Sequence, residues 1–130
     1  MISNMSEAVF LCRNARHFLD SARASMLPSD NRIYYLAISI ELSLKAYLRL
    51  AGWSDDDTRL LVRHDLAKAS DFAAALGLDV PEADCLKLIG PRYAKGGFRH
   101  PPSINWAPSF VRATTTHALA LNDRVARCLG

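Results

Sequence analysis

The chain has 130 residues, half of them apolar and 22% charged, with a formal net charge of +3 and a pI near 8.9. That length and balance describe one folded domain burying roughly two thirds of its unfolded surface, and they exclude a disordered chain. The mild basicity permits an anionic partner without demanding one, and it is less lopsided than in a dedicated duplex-DNA binder.

Helical signals follow in chain order. Ser3 or Ser6 can cap a first helix, with Glu7 favourable in its first turn. Ala8, Leu11, Cys12, Ala15, Phe18, Leu19, Ala22 and Met26 then recur at spacings of three and four, making one apolar stripe. Leu27-Pro28-Ser29-Asp30 breaks the helix, and Ser29 or Asp30 caps the next. The second helix carries Ile33, Leu36, Ala37, Ile40, Leu44, Tyr47, Leu48 and Ala51 on one side and Tyr34, Ile38, Leu42 and Ala46 on the other. Neighbours must cover it nearly all round. Residues 33–51 are long enough to span a bilayer, but the charged ladder Glu41, Lys45 and Arg49 argues for a core helix and no membrane. Gly52 is a natural stop.

A short helix follows, capped at Ser54 with three Asp residues in its first turn, and runs through Val62. Asp65 caps another over residues 66–76, with Leu66, Ala69, Ala73 and Leu76 facing inward and Gly77 ending it. Asp79-x-x-Glu82 starts a further short helix through about Ile89. Residues 90–107, with Pro91, Gly96, Gly97, Pro101 and Pro102, read as a long irregular loop, and long ordered loops in small domains are often functional. The last helix begins near Pro108 or Ser109 and runs to Cys128, with Phe110, Thr114, Ala118, Leu121, Val125 and Cys128 as its inner stripe. No stretch alternates as a strand would. The expectation is a single all-α domain over residues 1–130, an up-and-down bundle of three long helices and two short ones.

Cys12, Cys85 and Cys128 are odd in number and lack metal-ligand spacing, which suits reduced, mostly buried thiols in a cytoplasmic protein. The start, MISNMSEAVF, lacks the basic leader and apolar run of a signal peptide. Asp55–Asp57 has no further carboxylate or His at a helpful spacing, so it reads as a helix-start acidic cluster and not a metal site.

The core AISIELSLKAYLRLAGW, followed by RHDLAKASDFAAALGL, resembles the HEPN domain (higher eukaryote and prokaryote nucleotide-binding). The matching features are Glu41, Lys45 and Ala46 in a Glu-x-x-x-Lys-Ala segment, a closing Gly, and His64-Asp65-Leu66 heading the next helix. Arg92-Tyr93 matches the first two residues of an Arg-Tyr-Pro that many members carry before the last helix, with Ala94 standing third. The likeness covers roughly residues 37–93. It implies a compact helical bundle, commonly a homodimer, that often works beside a nucleotidyltransferase-type partner in toxin–antitoxin or defence systems. Many members are metal-independent ribonucleases with an Arg and, four to six residues later, a His on the last helix.

Arg112 and His117 have that spacing and would be the catalytic pair. A neutral imidazole can take the proton of a 2′-hydroxyl, and a guanidinium can hold the charge growing on the phosphate, chemistry that the resemblance implies would need no metal and no cofactor. Arg59 and His64 share the spacing outside the last helix, and Ala113 replaces a polar residue the ribonucleases often have. Residues five apart on a helix point about 140° from each other, so the pair needs a bent helix or a dimer seam. The alternative is a core His and a solvated Arg.

The loop before the last helix is the second candidate. Arg92, Lys95, Arg99 and His100 interleave with Tyr93, Phe98 and Trp106 around Gly96-Gly97. Rings stack bases while cations meet phosphates, which suits single-stranded RNA or a nucleotide. Alternatively, Tyr93, Phe98 and Trp106 anchor the loop and the cations face water. Glu41 with Lys45 reads as an intrahelical pair or, on a helix otherwise covered, as the mark of a groove or subunit interface, and His64 as part of a helix start or a spare nucleotide ligand. Three functions stay open: a nucleotide- or RNA-associated binding module, a ribonuclease using Arg112 and His117 across a homodimer, and a structural helical dimer.

Overall fold

The computed structural model describes residues 2–24, 26–81, 84–100 and 102–130. These are all-α: α1 (Ile2–Ala24), α2 (Ser29–Leu50), α3 (Asp55–Leu61), α4 (Leu66–Ala75), α5 (Asp84–Ala94), a 3-10 turn (Gly97–Arg99) and α6 (Pro108–Cys128). The long helices α1, α2 and α6 have 23, 22 and 21 residues and pack on one another. Among the described residues three short helices accompany them, matching the three helix starts read between Ser54 and Ile89 and one more than the two short helices of the expected bundle.

α2 touches every other element, which explains its nearly continuous apolar surface. Ile33, Leu36, Ile40, Leu44, Ala46 and Leu48 are fully buried, while Tyr34, Ile38 and Leu42 are half-buried. α1 presents Ala8, Cys12, Ala15, Leu19 and Ala22 to the core, and α6 presents Val111, Thr114, Ala118, Leu121 and Val125. Buried polar groups bridge the three long helices. Ser39 Oγ donates to the Ala15 carbonyl at 2.7 Å, and Asn122 Nδ2 donates to the Cys12 carbonyl and Ser43 Oγ, both at 3.1 Å. Such seams satisfy donors that would otherwise be costly to bury.

Helix ends account for most departures from expectation. α1 already includes Ser3 and Ser6, so neither caps it, and Met26 stands fully exposed beyond its end. Pro28 occupies the N-cap of α2 with no side-chain cap, because Ser29 and Asp30 bond to the segment before α6 instead. Ser54 and Asp65 do cap α3 and α4. Leu76 ends α4 and is exposed, since the turn at Gly77 carries it away from the core. Of the expected Asp79–Glu82 start, Asp79 is non-helical and accepts at its carbonyl from Arg124 Nη1 at 2.7 Å, while Glu82 lies outside the described residues. α5 continues past Ile89 through Gly90 and Pro91 to Ala94, which shortens the connecting segment to residues 95–107. Pro101 of that segment also lies outside the described residues. Cys12 and Cys85 are buried but Cys128, at the end of α6, is exposed; all three thiols are free. Burial pushes the thiols of Cys12 and Cys85 above their ordinary range, so both stay protonated. No described helix is long and apolar enough to cross a membrane.

Candidate nucleic-acid site

Halfway along α2, Glu41 is only 6% exposed and is surrounded by donors. Its Oε2 accepts from Lys45 Nζ at 3.1 Å, one turn further on. Its Oε1 lies 2.7 Å from Nδ1 of His64. A carboxylate can only accept, so Nδ1 carries the hydrogen and Nε2 is the ring nitrogen left for other work. From α5, Tyr93 brings its hydroxyl to the same carboxylate. Burial, followed by the Glu41 charge and hydrogen bond, pushes the Tyr93 phenol far above its ordinary range, so it remains a donor. The Tyr93 ring meets His64 edge-on at 5.9 Å and Tyr34 at 6.1 Å.

Local chain geometry brings these groups together. Arg63 sits in the left-handed region at φ 54°, a conformation costing a non-glycine residue about 1 kcal/mol. It turns the chain between α3 and the Asp65 cap and leaves His64 over α2. After α5, Gly96 takes φ 71° and its carbonyl accepts from the Arg99 N–H at 3.1 Å, folding Arg99 back toward Lys95.

Tyr34, His64, Tyr93, Lys95, Gly96 and Arg99 line a cleft of about 290 Å³. His64 also borders two neighbouring hollows, one with Arg63, Asp65 and Lys68 and the other with Lys45, Arg59 and Arg63. Cations therefore dominate the rim. Arg59 is the least available of them, since it pairs with Asp55 and Asp56 on its own helix at 3.2 and 3.0 Å.

Of the loop residues singled out in the sequence, Tyr93, Lys95 and Arg99 line this cleft. Arg92 is turned elsewhere. Its Nη2 bonds Asp30 Oδ2 at 2.9 Å and the Pro102 carbonyl at 3.2 Å, with the guanidinium 4.8 Å over the Phe98 ring. A Cβ on Gly97 would meet Arg92 Cγ at 2.9 Å, so the turn needs a glycine to let this side chain pass. Asp30, 4% exposed, also accepts from Trp106 Nε1 at 2.8 Å, while Ser29 Oγ accepts from the Trp106 N–H at 2.8 Å. Phe98 stacks on Tyr34 at 5.6 Å and Trp106 on Phe110 at 4.9 Å. Phe98 and Trp106 thus anchor the segment, and Arg92 belongs to the clasp that holds it. His100 is exposed just beyond the 3-10 turn, outside the lining of the cleft.

On α6, Arg112 is exposed while His117 is 4% exposed, on the core side of the helix. Within one chain the two side chains diverge, as the helical angle between them requires. The cleft is built instead from α2, the α3–α4 turn and the α5 end. Its floor, Glu41 with His64, joins residues 23 apart across two turns, a pairing that helical periodicity cannot reveal. The available signal was a carboxylate on an otherwise apolar helix, which must find donors when covered. Among the described residues no group of three or more His, Cys, Asp and Glu could hold a metal ion. In comparisons with family models, curated proteins and solved structures, nothing matches this chain, so the HEPN resemblance rests on its residues alone.

Proposed function

We propose that this protein is a HEPN-like nucleotide- or RNA-associated binding module, working as a homodimer or beside a nucleotidyltransferase-type partner. The ligand enters at the cleft between α2 and the end of α5. The observation that carries this reading is the convergence of two half-buried or buried rings, Tyr34 and Tyr93, with Lys95, Arg99 and His64 around one opening. Flat faces suit bases and the cations suit phosphates, without need of a metal.

The test is binding of a fluorescent single-stranded RNA hexamer. Affinity falls as salt rises, and Lys95→Ala with Arg99→Ala weakens it and flattens the salt slope by roughly 0.7 for each phosphate left without its cation. Affinity that ignores salt, or survives the double substitution unchanged, contradicts the reading. The two side chains are exposed, so their removal leaves the bundle intact.

A further inference from the structure

The cleft holds one group that simple strand binding does not require: an imidazole fixed by a buried carboxylate. Glu41 is occupied on both oxygens, by Lys45 at Oε2 and by His64 at Oε1, with the Tyr93 hydroxyl against it as well. Its charge is therefore locally answered, and the cleft above it does not repel an anion. His64 Nδ1–H is directed into the floor, so the ring can turn only Nε2 to a ligand. The His64 side chain is 62% exposed, and it lines the same opening as Lys95 and Arg99. Two cations, Lys95 and Arg99, and one imidazole nitrogen, an acceptor when bare and a donor once protonated, thus face a space of about 290 Å³.

That arrangement distinguishes two kinds of phosphate. An internal phosphodiester has one negative charge and two ester arms that must leave the space on both sides. A phosphate monoester has up to two charges, three terminal oxygens and a single arm, and its second charge forms near pH 6. Three donors converging on a hollow of this size match three terminal oxygens and a dianion.

We propose that the cleft selects a phosphate monoester, the free phosphate of a mononucleotide or of an RNA end, with His64 Nε2 donating to it while Glu41 holds the other ring nitrogen. The proposal rests on the nucleotide- or RNA-binding reading above and narrows it to a substrate class. His64 is a ligand-binding residue and Glu41 a positioning residue. No bond between heavy atoms is made or broken: the remaining proton of a monoanionic phosphate passes to Nε2, and the N–H so formed bridges the dianion to the Nδ1–H···Glu41 pair.

The experiment compares three RNA hexamers of one sequence carrying a 5′-phosphate, a 3′-phosphate or hydroxyls at both ends, with adenosine 5′-monophosphate and adenosine as small probes. At least one phosphorylated end should bind about tenfold tighter than the hydroxyl-ended hexamer, and adenosine 5′-monophosphate should bind where adenosine does not. His64→Gln should erase that preference, so that within the variant the phosphorylated hexamers bind no more tightly than the hydroxyl-ended one. Glu41→Gln should reduce the preference and shift the ¹⁵N resonances of the His64 ring, a change that a packing role alone would not produce; His64→Gln at an exposed position keeps the test independent of any loss of folding in the Glu41 variant. Equal affinity for all three hexamers overturns the monoester proposal and leaves general strand binding standing. Binding of none of the hexamers or nucleotides overturns both.

Discussion

Removing the carboxylate of Asp30 would strand two donors at once, the Arg92 guanidinium and the Trp106 indole N–H. Because Asp30 is 4% exposed and the Arg92 side chain 18%, water cannot readily replace it. Asp30→Ala is expected to cost about 3 kcal/mol in urea unfolding, with Asp30→Asn costing less because it still accepts from the indole. Equal stability of Asp30→Ala and the native chain would show that the clasp does not hold the segment before α6. At this scale the sequence was only partly legible. Lys95, Arg99 and Tyr93 could be named as a cationic and aromatic set from their spacing. The role of Arg92 could not, because its partner lies 62 residues away. The same distance blindness hid Glu41 with His64, and it made Asp30 look like a cap when its oxygens serve Arg92 and Trp106.

Among the elements, α3 has the most local logic. Ser54 Oγ accepts from the Asp57 N–H at 3.0 Å, and Asp57 Oδ2 accepts from the Ser54 N–H at 2.8 Å, a reciprocal box at the head of a seven-residue helix. Hydrogen bonding to the carboxylate from the Ser54 backbone N–H, and then from the Ser54 side chain, holds the Asp57 carboxyl below its ordinary range. A carboxyl whose folded value is depressed contributes stability above the ordinary carboxylate range and loses it as pH falls through the folded value. The difference in thermal midpoint between the native chain and Asp57→Asn is therefore expected to be present at neutral pH and to close under acid. A difference that is the same at pH 7 and pH 3 would contradict the box. Elements of this kind were readable because their signals are adjacent in sequence: Ser54, Asp65 and Gly52 end or start helices where expected. α5 was read short because Gly90 and Pro91 look like breakers. In the folded chain Gly90 is buried, and the helix carries both residues on to Tyr93, which packs inward.

For the molecule as a whole, α2 is the rod on which everything else is hung, and its covering fixes where a ligand can enter. α1 and α6 lie along it, joined by Ser39, Ser43 and Asn122. α3, α4 and α5 cover the rest and leave a polar gap over Glu41. The all-α class and the three long helices were legible from apolar period and turn residues. The site was legible only in part, since a groove arises from packing between distant segments. For Arg112 and His117 the helical angle of about 140° was legible from spacing, and the buried His117 and exposed Arg112 follow it; what one chain's spacing cannot give is how two copies would meet.

An amide-resolved NMR titration with a single-stranded RNA hexamer tests the central claim most directly, since at 14.4 kDa every described backbone N–H is within reach. Shifts should concentrate at Tyr34, His64, Tyr93, Lys95, Gly96 and Arg99, and fade when salt is raised. Shifts confined to α6 around Arg112 and His117, with His64 and Gly96 unmoved, would contradict it.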